Sequence, residues 1–324
     1  LKTTRQPDTL TQHIVSISWK SLPKTFQEAI IFARKFGVQF LWVDSLCIIQ
    51  DDLDDWQAQA AEMAYIYQRS VLTIAGSSSS GPTQGIFRHA NPEHLDSPIT
   101  GSIGQTKLNK IRIRKPLGHD TDELPLLHRC WVHQERLLSP RYLHFGENEL
   151  IWECMERIRC ECGGMRPGRQ IFNPTWPTPK DYLHPGVLTH PDWMMRRGPS
   201  AWHAVVSDYS GMGLTKAEDI FPAISGLAKI VREATHWQYI AGLWKKSIMV
   251  DLVWKTEQPR KAVRCEPWRA PTFSWASIMS LANRHKWETY FYATLVEAEC
   301  VPQGEDPTGR LKSGYIILKG TLIR

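Results

Sequence analysis

Several things are missing from this chain of 324 residues, and each absence removes a class of function. No apolar run approaches the ~20 residues that a membrane-spanning helix needs. No charged segment followed by an apolar stretch opens the chain as a secretory signal would, so a soluble, cytoplasmic protein without a membrane partner is expected. The chain begins at Leu1 rather than Met, so any targeting segment ahead of it would be invisible here. Basic residues outnumber acidic ones only 39 to 33, for a net charge of +6. They are scattered, with no block longer than doublets such as Arg196-Arg197 and Lys245-Lys246. Nucleic-acid binding needs a concentrated basic patch, so no nucleic-acid partner is expected.

Paired cysteines are lacking too. The seven cysteines are an odd number without a C-x2-C pair. Cys154, Cys160 and Cys162 form C-x5-C-x-C, which is not the spacing of a zinc ribbon or finger, and no His/Cys pair follows closely. Free thiols in a reducing compartment are expected, with no metal and no cofactor. The Ser/Gly/Pro stretch from Ser77 to Gly85 lacks the lysine and the glycine spacing of a phosphate-binding loop, which argues against nucleoside triphosphates.

Tryptophan, by contrast, is abundant, at 14 residues. Such side chains should nucleate packing or line a pocket. The most patterned stretch runs from Phe40 to Phe87. The apolar run Phe40–Val43 ends at Asp44, a polar loop follows, and a helical segment runs from about Asp54 to Arg69 with Asp54 or Asp55 as its N-cap. A second apolar run, Val71–Ala75, dissolves into Ser77–Ser80. Two buried strands joined by a helix make a βαβ unit, whose carboxyl ends form a ligand edge. Upstream, Ser21-Leu22-Pro23 marks a helix start, Thr25 and Glu28 have capping-box spacing, Phe26, Ala29, Ile30, Ala33 and Phe36 share a face, and Gly37 ends the helix.

A second patterned block runs from Leu126 to Cys154. Arg129–Leu138 reads as a short helix stopped at Ser139-Pro140. Tyr142–Phe145 and Glu149–Trp152 read as a hairpin, and Lys110–Arg114 as an edge strand. Residues 163–200 are proline-rich and aperiodic, a linker or lid. Segments 201–209, 219–235 and 239–254 have helical spacing, and Gly226 suggests close packing. Strands are expected at 272–277, 290–296 and 315–322. The division drawn is 1–162, 163–200 and a helical then β extension, 201–324, packed on the first part.

Laid out in this way, the sequence resembles the HET family, the heterokaryon-incompatibility domain of filamentous fungi. Its core motif is similar to Leu22-Pro23 through Ala33, Leu41–Asp51, Trp56 with Met63 and Tyr67, and Thr73-Ile74-Ala75. Its second motif is similar to Trp131 with Gln134–Arg141, Leu143–Gly146 and Trp152-Glu153-Cys154. Downstream stretches, such as Ala223–Ala228 and Ser274–Ser277, resemble an extension that many members carry. The resemblance implies an α/β, TIR-like parallel sheet with flanking helices, a hairpin block, and a role in nonself recognition ending in programmed cell death. Related TIR domains can hydrolyse NAD with a glutamate on a helix. Many HET members carry a Glu three residues after the helix Trp, where this chain has Gln59. An amide cannot act as a carboxylate base; Glu62, one turn on, is read first as a solvated helix residue and only second as the substitute.

The catalytic candidates are therefore Asp44, Cys47, Gln50, Gln59 and Glu62. Asp44 either holds a polar ligand group or caps a turn. Cys47 is read as a buried small hydrophobe before a nucleophile. Ligand-binding candidates are Ser45, Asp51, Ser77, Ser78, Trp131, Gln134, Glu135, Arg136, Arg141 and His144. Of these, Glu135, Arg136 and Arg141 are read first as one structural ion-pair cluster, and His144 as a half-buried, hydrogen-bonded residue. Three functions compete. One is an incompatibility-type signalling module with protein partners. Another is an enzyme of a fungal natural-product pathway, a cyclase or cycloaddition catalyst that holds a small apolar substrate in a Trp-lined pocket. NAD hydrolysis ranks third because of Gln59.

Overall fold

Pro23, with its fixed φ and no N–H to satisfy, precedes the first long helix, α2 (Lys24–Lys35); a short α1 (Leu10–Val15) lies upstream. The computed structural model describes residues 1–98, 102–103, 106–107, 112–119, 124–165, 180, 183, 185–188, 190, 198–256, 259–260, 262–279, 282–284 and 292–321. Most of the proline-rich 163–200 segment therefore lies outside the described residues. Thr25 and Glu28 form no capping box. The Glu28 carboxylate instead accepts the N–H groups of Ile86 and Phe87, and Thr25 Oγ1 accepts that of Gly85, so the start of α2 is tied to the chain after the serine loop.

The expected strand at Phe40–Val43 does not form. The backbone is extended at Val43, but Phe40 is 87% exposed, and of this run only Trp42 stacks on another ring, that of Tyr67, edge to face at 5.7 Å. Four apolar residues define an extended segment but not a pairing partner, and the chain turns at Asp44 into the one-turn helix α3 (Asp44–Cys47). Helix α4 (Leu53–Arg69) follows. Its N-cap is Asp52, two or three residues ahead of the expected one, and its carboxylate accepts from the N–H groups of Asp54 and Asp55.

The sheet has four strands, β1 (Thr73–Ala75), β2 (Arg141–Phe145), β3 (Leu150–Cys154) and β4 (Ile158–Cys160), paired in that order. β1 and β2 are parallel, whereas β2–β3 and β3–β4 are antiparallel, so the α/β class holds with a mixed sheet in place of a parallel one. The parallel crossover runs from β1 through the insertion and α5 (Cys130–Leu138) to β2, and does not involve Phe40–Val43. The expected hairpin is β2–β3, and Arg112–Ile113 does form an edge pairing, with Ser97–Pro98.

Alternation along β2 sorts the two faces. Leu143 and Phe145 pack with Phe32 of α2, Ile86 and Trp152; Tyr142 and His144 lie on the other face, with Glu153 of β3 opposite Tyr142. The largest core joins the chain's two halves. In it Ala64, Leu137 and Leu138 meet α6 (Gly198–Ser210), α7 (Pro222–Thr235), Trp244 and Trp275. A Cβ on Gly226 would lie 2.9 Å from Ala64 Cβ and 3.0 Å from Leu138 Cδ1, so the close packing expected there is real. Trp202, Trp237, Trp244 and Trp275 are all absorbed by this core.

Two expectations fail in the C-terminal half. Residues 239–254 are not one helix: Tyr239–Ile240 and Leu243–Trp244 pair across a turn in which Ala241 and Gly242 have φ of 49° and 88°. Residues 272–277 are not a strand; Ser274 caps a short 3₁₀ turn, Trp275–Ser277. β5 (Ala293–Pro302) and β6 (Leu311–Gly320) form the terminal hairpin, with a bulge between Leu295 and Glu297.

Candidate functional site

Successive residues on a helix point about 100° apart, and α5 uses this to send Gln134, Glu135 and Arg136 to three different places. Gln134 is buried, and its Oε1 accepts the N–H of Gly226 at 3.1 Å, fastening α5 to α7. Arg136 points under the sheet and Glu135 towards α4. Arg141 lies apart on the surface and donates to the Val71 carbonyl, so the expected Glu135–Arg136–Arg141 cluster does not exist.

Beneath the sheet, Arg136 forms a fork on Glu153, Nε to Oε2 at 2.7 Å and Nη2 to Oε1 at 3.0 Å. His144 Nε2 is 3.2 Å from Glu153 Oε2, and His144 Nδ1 is 2.9 Å from Ser77 Oγ. With His144 neutral, Ser77 donates to Nδ1 and Nε2–H donates to Glu153, a serine–histidine–carboxylate relay. Lys180 donates to the Arg136 carbonyl and lies over the Tyr142 ring. Burial would raise the Glu153 carboxyl, but Arg136 and Lys180 outweigh it and hold it below the usual carboxylate range. Burial, reinforced by the same two cations, keeps His144 below its ordinary value despite Glu153. Ser77 and His144 are 0% exposed and Glu153 1%. His144 is thus fully buried, not half-buried, and Ser77 cannot meet a substrate. Arg136 alone of these reaches a small cleft, about 190 Å³, beside His133 and Asp208.

On the α4 side the environment differs. Glu135 is partly exposed as a residue, but its carboxyl is buried beside the Tyr67 hydroxyl. Burial and the nearby Asp44 charge push its carboxyl up to about 7, against smaller opposing effects of Arg129 and Tyr67. Burial and the Glu135 charge push the Tyr67 phenol well above its ordinary value, so it remains a donor. Asp44, at the start of α3, is exposed, and Tyr67 carries the Trp42 ring. Two carboxyl groups of unlike environment, one titrating near neutrality, are an arrangement suited to proton transfer.

A third place gathers motif residues. Trp56 and Trp131 meet edge to face at 6.1 Å, Trp131 Nε1 donates to Asp219 at 3.4 Å, and Arg310 lies 4.8 Å over Trp56 while pairing with Asp219 at 2.7 Å. Trp56 and Arg310 line an open cleft of about 320 Å³ between α4, Pro222 and the turn from Gln303 to Arg310.

The remaining candidates have mainly local roles. Asp51 accepts the N–H groups of Arg5 and Gln6. Gln50 closes its own loop on the Asp44 and Ile48 carbonyls. The hydroxyls of Ser45 and Ser78 are buried without a hydrogen bond. Cys47 is exposed, not buried, because the inward position at the end of α3 belongs to Ile48. Gln59 is half-buried and Glu62 exposed. Sequence reasoning overlooked Tyr67 as a polar partner and gave no role to Glu153, Lys180, Asp219 or Arg310. Glu153 left a trace, a carboxylate on the same strand face as Ile151.

Residues 2–135 match the family model described as Heterokaryon incompatibility protein (HET). The chain therefore carries a HET domain over that span, as the motifs imply. No curated protein and no solved structure matches the chain. Among the described residues no helix is long and apolar enough to cross a membrane.

Proposed function

We propose that this is a fungal heterokaryon-incompatibility-type protein whose cell-death output depends on the Asp44–Tyr67–Glu135 centre. One observation carries the reading. The HET match over residues 2–135 contains Asp44, Tyr67, Arg129 and Glu135, and these converge on a carboxyl group held near neutrality. The partners are other proteins of the incompatibility response, and the centre supplies an acid–base step within it.

Inducible expression in a filamentous fungal host, scored with a vital dye, tests this. Wild-type protein and Glu62→Gln kill compartments; Glu135→Gln at equal abundance does not. Equal killing by Glu135→Gln, or no killing by wild type, sinks the reading.

A small-molecule role for the Trp56–Arg310 cleft is a second reading, favoured by its volume of about 320 Å³. It is not the tryptophan-lined apolar pocket that a cyclase would use. Of the residues lining it only Trp56 is a tryptophan, and Arg310, Asp306, Glu305 and Asp54 make its rim charged. Most of its lining surface is nevertheless apolar, so a small ligand with an apolar body and a polar group suits it.

A further inference from the structure

Away from these centres, at the edge of the sheet, four side chains from three distant parts of the sequence converge. His119 follows the edge strand of the insertion, Glu149 precedes β3, Cys160 ends β4 and Cys162 lies in the turn beyond it. One donor atom from each falls within 4.8 Å of all the others, and all four residues are half-buried. We propose that His119, Glu149, Cys160 and Cys162 bind one zinc ion as a structural site.

The donor set fits zinc: two sulfurs, an imidazole and a carboxylate are its usual ligands, and four protein donors close the coordination sphere. Zinc bonds of about 2.3 Å to sulfur and about 2.0–2.2 Å to nitrogen or oxygen place the donors of a tetrahedron roughly 3.3–3.8 Å apart. Here Cys160 Sγ and Cys162 Sγ are 3.2 Å apart, and Cys162 Sγ lies 3.3 Å from His119 Nε2 and 3.6 Å from Glu149 Oε1. His119 Nε2 and Glu149 Oε1 are 2.9 Å apart. Slight opening of these side chains makes the tetrahedron.

Backbone donors face the sulfurs. The Gly164 N–H points at Cys162 Sγ and the Met165 N–H at Cys160 Sγ, each at 3.3 Å, as donors to thiolates would. The Cys162 N–H holds the other Glu149 oxygen at 2.8 Å, which orients Oε1 towards the cluster. Two thiolates and a carboxylate around Zn²⁺ leave one negative charge, and Arg114 donates to the Cys162 carbonyl beside it. A Cβ on Gly164 would lie 3.0 Å from His119 Cε1 and 3.2 Å from Cys162 Sγ, so a larger residue there would press on two of the donors. The ion clips the insertion to the exposed edge strand β4. The C-x-C pair alone did not reveal it, because its other two ligands lie 11 and 41 residues upstream of Cys160.

The test uses the full chain, purified without a histidine tag. Plasma mass spectrometry should find one zinc per chain. Cobalt(II) replacing the zinc should give tetrahedral visible bands and a thiolate-to-cobalt charge-transfer band. Cys162→Ser should abolish that band and the zinc, while Cys154→Ser, in β3 outside the cluster, keeps both. His119→Ala, a milder variant in case Cys162→Ser fails to fold, should weaken zinc by at least the roughly 10–100-fold that loss of a ligand's supporting contact costs. The proposal is overturned if reduced, zinc-supplied wild-type protein holds no zinc and gives no charge-transfer band with cobalt, or if the bands survive Cys162→Ser.

Discussion

The two polar centres on either side of α5 contain similar chemistry and do opposite things. Under the sheet, Ser77, His144 and Glu153 line up as a hydrolase relay would, yet none of the three is more than 1% exposed and Arg136 neutralises the carboxylate. On the α4 side, Glu135 has a phenol and a second carboxylate as neighbours, keeps part of its surface exposed, and has its buried carboxyl pushed up to about 7. A relay without access is a frame. The carboxyl group pushed up beside an exposed Asp44 is the one to which the proposed acid–base step is assigned. Local geometry alone points to the relay; access and charge balance favour the proposed Glu135 centre.

The sharpest way to break the comparison is to remove the frame's anion. Glu153→Gln takes from buried Arg136 the carboxylate it forks, and denaturant unfolding should show a loss of about 3–5 kcal/mol. Ser77→Ala should cost less, about 1–3 kcal/mol, because it strips the donor from a buried His144 nitrogen. At temperatures where it stays folded, it should kill fungal cells like wild type. A Ser77→Ala protein that is stable but silent would make the relay functional and reverse the assignment.

The two centres also carry opposite pH signatures. The folded-state carboxyl of Glu153 is depressed, so its stabilisation is present above the ordinary value of 4.5 and is lost as pH falls towards its folded value. Glu135 is raised from 4.5 to about 7, so the folded state binds the extra proton and stability declines as pH rises through that window. Glu135→Gln should remove this decline and leave acid unfolding in place, as followed by thermal unfolding across pH. The smallest effect belongs to Asp44→Asn. Without the like charge, the Glu135 carboxyl should move down towards its ordinary value while stability barely changes.

How much of this was legible beforehand follows from which forces act locally. Helix α2, the β2–β3 hairpin and the close approach at Gly226 were readable because periodicity, turn residues and a missing side chain act over a few positions. The Phe40–Val43 strand was misread because an apolar run does not name its partner, and β1 found β2 69 residues on, Thr73 against Tyr142. Tyr239–Trp254 has helical spacing, but the left-handed backbone at Ala241 and Gly242 overrides it. Asp44, Glu135 and His144 were flagged from sequence. Which of them stayed accessible, and which gained Tyr67, Glu153 or Lys180 as a partner, depends on contacts across dozens of residues that no spacing rule encodes.

The most direct test is a titration of Glu135 itself, by carboxyl-carbon NMR on labelled protein, with Glu135→Gln identifying the resonance. The account predicts a midpoint at about 7, falling in Asp44→Asn. A midpoint in the ordinary carboxylate range near 4.5, unmoved by Asp44→Asn, would contradict it.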